Sequence, residues 1–186
     1  MAKTLAKYFI ALVPEGDIQE EATWLKLLMK DKFNLKYALK SPAHVTIKMP
    51  FSWNEDKEDK LMDKLSQFFN PFPSFDLDFK GIDKFGRRVL FIKVYAPNAL
   101  MLMQDALKKF SRTDLHLVEE LSDKAFHPHM TIAFKDTKPA RFEEYWEFLQ
   151  TQKFKKNYQV KDVALLKKAE GRWVVIQRFP LRKEDV

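Results

Sequence analysis

Cysteine is absent from this chain of 186 residues. That removes disulfides, thiolate zinc sites and a cysteine nucleophile, and it is compatible with a reducing compartment, so a cytoplasmic location is expected. Long hydrophobic runs are missing as well. The apolar stretch from Tyr8 to Val13 is six residues long before it meets Pro14-Glu15-Gly16-Asp17, too short for a signal-peptide core or a membrane span. No membrane partner is expected. Hydrophobic residues still make up 46% of the chain, enough for a real core, and the length suits one domain of two small lobes better than two independent domains.

The net charge of +7 is unevenly spread, with ten basic and two acidic residues between Lys153 and Lys183. A basic surface on the last third fits a polyanionic partner such as RNA; the plainer alternative is a solvated, lysine-rich face.

Taken in order, Tyr8 to Val13 reads as a buried strand. Asp17 with Glu20 is a capping-box pattern, and Ile18, Ala22, Leu25, Leu28 and Met29 follow at helical spacing. Asn54 ahead of Glu55, Asp56 and Glu58 opens a second helix with Leu61, Leu65, Phe68 and Phe69 inward. Phe75, Leu77 and Phe79 alternate with Asp76, Asp78 and Lys80; Gly81 and Gly86 bracket a turn, and Val89 to Val94 completes a hairpin. The order then restarts: an apolar strand, a helix capped by Asn98 with Met103, Leu107 and Phe110 at core spacing, and an irregular charged segment containing His116. A helix opening near Thr137 and Pro139, carrying Phe142, Tyr145, Trp146 and Leu149, precedes a closing hairpin of Tyr158 to Leu166 and Trp173 to Phe179, joined through Glu170-Gly171.

Two stretches organise this pattern: Ser41-Pro42-Ala43-His44-Val45-Thr46-Ile47-Lys48-Met49 and Phe126-His127-Pro128-His129-Met130-Thr131-Ile132-Ala133-Phe134. Successive strand side chains point to opposite faces. His44, Thr46 and Lys48 therefore share one face, as do His129, Thr131 and Ala133, with Val45, Ile47, Met49, Met130, Ile132 and Phe134 on the core side. Each half reads strand, helix, His-x-Thr strand, helix, hairpin, which is an internal duplication in architecture with approximate repeats 7–88 and 89–182. Two lobes related by a pseudo-two-fold axis would bring His44 and His129 face to face across a cleft.

Histidine, with an unperturbed pKa of about 6.5, takes or gives a proton near neutral pH. Two across a cleft can act as base and acid in one reaction, and the threonines can hold an anionic oxygen between them. An in-line attack by water on phosphorus then needs neither a metal nor a nucleophilic side chain.

The paired His44-Val45-Thr46-Ile47 and His129-Met130-Thr131-Ile132, in this duplicated setting, resemble the two His-x-Thr/Ser motifs of the two-histidine (2H) phosphoesterase superfamily. That superfamily includes the RNA 2′,3′-cyclic phosphodiesterases, also called 2′-5′ RNA ligases. The resemblance implies a bilobal α/β (α+β) fold in which two antiparallel sheets line a central cleft with helices outside. It implies metal-independent, cofactor-free opening of a 2′,3′-cyclic phosphate at an RNA terminus or in a nucleotide, and a reverse 2′-5′ ligase activity. His44 and His129 become acid and base, with a lean toward His129 as base, and Thr46 and Thr131 become phosphate binders. A monomer is expected. The chain departs from many RNA-directed members in having Phe134-Lys135 where they carry an arginine after the second motif, which leaves Lys48 as a candidate substrate contact.

Three other readings compete. The cleft and the basic last third could bind RNA without chemistry. The substrate could be a non-RNA nucleotide or a metabolite cyclic phosphate, a reading the missing arginine keeps open. His127 and His129 with His44 could form a three-histidine zinc site, although Ala or Ser positions precede His44 where the repeat would place a matching ligand.

Overall fold

The structure, a computed structural model, describes residues 4–118, 121 and 125–183. Part of the charged segment ahead of His129 therefore lies outside the described residues. Among the described residues, eight strands form one sheet: β1 (Leu5–Leu12), β2 (Val45–Asn54), β3 (Phe75–Phe85), β4 (Val89–Tyr95), β5 (His129–Ala133), β6 (Lys155–Val160), β7 (Asp162–Ala169) and β8 (Arg172–Pro180). Four helices accompany them: α1 (Asp17–Phe33), α2 (Glu58–Phe69), α3 (Asn98–Thr113) and α4 (Phe142–Leu149).

The strand order is β6-β3-β4-β5-β2-β1-β7-β8, with every neighbouring pair antiparallel. One continuous sheet thus stands where two were expected. Its two halves meet at β2 and β5, where the ladder has a single pair, Val45 with Met130. The sequence halves also interleave: β3 pairs with β4 and β6, and the β7–β8 hairpin packs against β1. The expected repeat boundary falls in the turn of the β3–β4 hairpin.

Alternation along each strand sorts the apolar side chains into two layers. Tyr8, Ile10 and Leu12 face a large core with Leu77, Phe79, Leu90, Ile92, Met130, Ile132 and the inner faces of all four helices. Phe9, Ala11 and Val13, the alternate residues of β1 and its exit, form a smaller cluster with Ala164, Leu166, Trp173 and Val175 on the opposite side of the sheet. The helices cover one face, and the other remains open over its middle.

Several local expectations change. Gly16 takes the N-cap position of α1, so no capping box forms, and Asp17 instead pairs with Lys156 at 3.0 Å. Pro97, not Asn98, precedes α3. Asn54 does cap, accepting from the Asp56 N–H, but on a short 3-10 turn ahead of α2. Gly81 lies inside β3 at a register shift with φ of 78°; a bulge at this position accounts for it better than a turn. The stretch from Tyr158 to Leu166 is two strands, because β6 joins β3 while β7 joins β1. Glu170 and Gly171, both at positive φ, close the β7–β8 hairpin as a two-residue loop requires.

One side chain ties the exit of β5 to the segment leading into β2. The Asp136 carboxylate accepts from the backbone N–H groups of Lys36 (2.7 Å) and Tyr37 (2.6 Å). Hydrogen bonds to a charged group each contribute more than neutral ones, so Asp136→Ala is expected to lower unfolding stability by about 2 kcal/mol. Asp136→Asn, which keeps an acceptor oxygen, should recover at least half of that in urea denaturation; a fully stable alanine variant would contradict the strut.

Candidate active site

His44 is the residue that enters β2, and His129 opens β5. From the Val45–Met130 pair, one step either way in antiparallel register sets His44 against Thr131 and Thr46 against His129. Opposed side chains share a face, and Val45 and Met130 take the core side. All four expected side chains are therefore brought together on the open face, each of them half-buried. The two histidines are diagonal neighbours, a relation that in a regular ladder separates positions by roughly 7–8 Å.

The two imidazoles are held alike. The Pro42 carbonyl lies 2.7 Å from His44 Nδ1, and the His127 carbonyl 2.7 Å from His129 Nδ1. A carbonyl oxygen only accepts, so Nδ1 carries the proton in both rings and Nε2 is left with its lone pair. Phenylalanines back both: Phe9 stands 4.8 Å from His44, and Phe85 and Phe91 stand 4.9 and 5.2 Å from His129. Burial pushes the His44 pKa down to about 4, opposed by the Pro42 bond and reinforced by the charges of Lys26 and His129. Burial likewise lowers His129, opposed by the His127 carbonyl and reinforced by the His127 ring.

Lys48 leaves the alternation. The register shifts between Ile10 and Ala11, so that Thr46 opposes Ala11 while Lys48 opposes Ile10. Ile10 belongs to the main core, and Lys48 is itself only 2% exposed. The slip sets Lys48 opposite Ile10, off the regular alternation that was expected to place it beside His44 and Thr46. Lys135, which follows the second motif, hydrogen-bonds the Tyr37 hydroxyl at 3.2 Å and thereby lowers the Tyr37 pKa. The His127 ring sits 5.1 Å from Phe85. Among the described residues, no three side chains of the His, Cys, Asp or Glu type are grouped to hold a metal ion.

The sequence reading missed what holds His44 in place. The segment from Lys36 to Ala43 has no strand partner, and side chains strap it down. Gln19 takes Ala43 at both ends, its Nε2 donating to the Ala43 carbonyl at 2.9 Å and its Oε1 accepting from the Ala43 N–H at 2.6 Å. Lys26, 2% exposed, donates to the carbonyls of Ala38 and Ser41, each at 3.1 Å, and burial lowers its pKa to about 8. Lys26 falls on the apolar stripe of α1 beside Ala22 and Met29, and a cation on such a stripe was the available signal.

This face is the candidate active site. The family model of the 2′-5′ RNA ligase superfamily matches residues 14–172, and the chain belongs to that superfamily, as a phosphoesterase-type enzyme. It is 25% identical over 182 residues to a Bacillus mycoides protein provisionally named a phosphoesterase, covering 96% of this chain and 99% of that protein. A similarly named protein of Halalkalibacterium halodurans is 25% identical over 186 residues, with 96% and 99% covered. Among solved structures, Escherichia coli LigT complexed with 3′-AMP superposes with a TM-score of 0.67 at 18% identity, covering 96% of this chain and 99% of LigT. A Thermus thermophilus protein superposes with a TM-score of 0.63 at 16% identity, with 96% and 100% covered. These two likenesses are of fold.

Gln19→Ala would leave the buried Ala43 N–H and carbonyl without partners, at an expected loss of about 1–3 kcal/mol. Gln19→Glu keeps the acceptor but sets an anionic oxygen against the Pro14 and Ala43 carbonyls. Both variants should unfold at lower urea concentration than the parent, the alanine variant with intact far-ultraviolet dichroism. Parental stability in both would show that the clasp is dispensable.

Proposed function

We propose that the chain hydrolyses 2′,3′-cyclic phosphates at RNA ends or in nucleotides by two-histidine acid–base catalysis. The observation that carries the reading is the Nδ1–carbonyl bond made by both rings, in register about the Val45–Met130 pair. It leaves two Nε2 atoms for proton transfer and two threonine hydroxyls beside them for phosphate oxygens. One neutral imidazole takes the proton from the attacking water as the new P–O bond forms. The other, protonated, gives its proton to the ribose oxygen as that P–O bond breaks. The product is a phosphomonoester; with the 5′-hydroxyl of a second RNA end attacking in place of water, the same proton transfers would open the cyclic phosphate to a 2′-5′ phosphodiester.

A purely RNA-binding role draws less support. Three of the basic residues that suggested it are used internally: Lys156 pairs with Asp17 and Glu21, Lys167 with Glu55 and Glu58, and Arg178 with Glu15 and Asp162.

His44→Ala and His129→Ala should each reduce turnover of a 2′,3′-cyclic nucleotide by roughly 10²- to 10⁴-fold, the usual contribution of a positioned proton transfer. Parental turnover should persist in chelator. Both histidine pKa values are lowered by burial, so each ring becomes neutral at lower pH than a free imidazole. Because kcat/KM needs one ring neutral and one protonated, its bell should centre below about pH 6.5. A centre above pH 7, or full activity in either alanine variant, would overturn the assignment.

A further inference from the structure

Lys26 is a buried titratable group that the proposed chemistry leaves unused. It stands on the apolar side of α1, and among the described residues it forms no ion pair. Its ammonium instead donates to two neutral carbonyls, those of Ala38 and Ser41, each at 3.1 Å. Burying a cation without an anion is costly, and the cost shows in a pKa pushed down to about 8. At neutral pH the group is still largely protonated, and hydrogen bonds from a charged donor are stronger than neutral ones.

Both carbonyls belong to the segment that leads into His44. Two turns earlier on the same side of α1, Gln19 clasps Ala43 by its N–H and its carbonyl. Pro42 is thereby bracketed, with Ser41 held by Lys26 on one side and Ala43 held by Gln19 on the other. Proline has no N–H of its own, so its placement falls to those neighbours. An open groove runs along the segment, between α1, residues 39–42 and β8, and Ser41 and Pro42 line it. Packing alone therefore does not fix them, and the tie from the β8 side, Arg172 to the Leu39 carbonyl at 3.0 Å, is exposed. The Pro42 carbonyl so placed is the group that meets His44 Nδ1 at 2.7 Å. Lys26 is also close enough for its charge to disfavour protonation of the same ring, whereas the charge felt by His129 is that of His127.

We propose that Lys26 is a positioning residue for His44: by holding Ser41 it aims the Pro42 carbonyl at Nδ1, and so selects the tautomer that leaves Nε2 open to substrate. The inference rests on the two-histidine reading and adds to it a residue that does not touch the phosphate. It also makes the two rings unequal. His129 takes its carbonyl from His127, and among the described residues Lys26 has no bond to that segment. Whether it serves as acid or as base, His44 exchanges its proton at Nε2. A neutral ring in the other tautomer presents an N–H there and has no lone pair to receive one.

The test is NMR of the histidine ring nitrogens in the intact protein, at a pH where both rings are neutral, beside turnover of a 2′,3′-cyclic nucleotide. The parent should show Nδ1 protonated in both rings. Lys26→Met, close in length and uncharged, should leave His129 unchanged and turn His44 into a mixture of tautomers. It should lower kcat by about 10²-fold with KM unchanged, the size of effect expected when a reacting group is misplaced by about 1 Å. Lys26→Leu, a second apolar replacement, carries the same expectations and serves if the methionine variant does not fold. A clasp that acted on stability alone would lower the urea midpoint of either variant and leave the His44 tautomer of the folded protein as in the parent. That result, or parental kcat in a folded variant, overturns the inference. The ring signals need no turnover, so failure of the phosphodiesterase reading would show separately, as absent hydrolysis by the parent.

Discussion

The two halves of the sheet touch through one cross-strand pair, Val45 with Met130, and the candidate site is built outward from it. Both residues are fully buried, and because side chains alternate, burying them forces their neighbours to the other face. His44 and Thr46 on one strand, and His129 and Thr131 on the other, are thereby set about a common centre. A one-residue slip of either strand would exchange core for site. Packing of the Val45, Ile47, Met130 and Ile132 layer against the helices therefore also fixes the register of the candidate site.

The same burial tunes the imidazoles. Phe9 on one side, and Phe85 with Phe91 on the other, exclude water from the rings and disfavour their charged forms. The price is instability in acid: below about pH 6.5 the unfolded chain takes up protons that His44 resists until about pH 4, so stability falls as pH falls through that window. The carbonyl bonds at Nδ1 oppose the shift and select the tautomer. A bound phosphate anion would oppose it further, supplying the negative charge that lets one ring hold the proton an acid must deliver. The site thus suits an anionic substrate and is ill-suited to standing charged without one.

Period-two alternation was legible wherever the ladder is regular, and it located His44, Thr46, His129 and Thr131 on one face. It failed at Lys48 because the shift between Ile10 and Ala11 inserts a residue that no propensity announces. It failed again across Tyr158 to Leu166, where an unbroken β-like composition conceals a change of partner at Lys161. Single-sheet continuity was equally hidden, since it depends on one pair between residues 85 apart in the chain. Gln19 was invisible for another reason. Its work is done by a side-chain amide pairing with the backbone of Ala43, and a glutamine in the first turns of a helix looks the same whether it meets solvent or a loop.

Charge was the least legible property, because a count cannot say which cations are already spent. Of the basic last third, Lys156, Lys167 and Arg178 clamp carboxylates from the first third of the chain and from Asp162, stitching β6, β7 and β8 to α1 and to the start of α2. Among the described residues Lys168 and Arg172, one on each strand next to the β7–β8 turn, do not; the charge of Lys168 reaches Tyr37, as do those of Lys40 and Lys135, and Arg172 donates to the Leu39 carbonyl. Cations from three separate segments therefore gather around Tyr37 and Leu39. Three of the ten cations in that stretch thus serve the fold, and a local field forms where cations from distant segments converge.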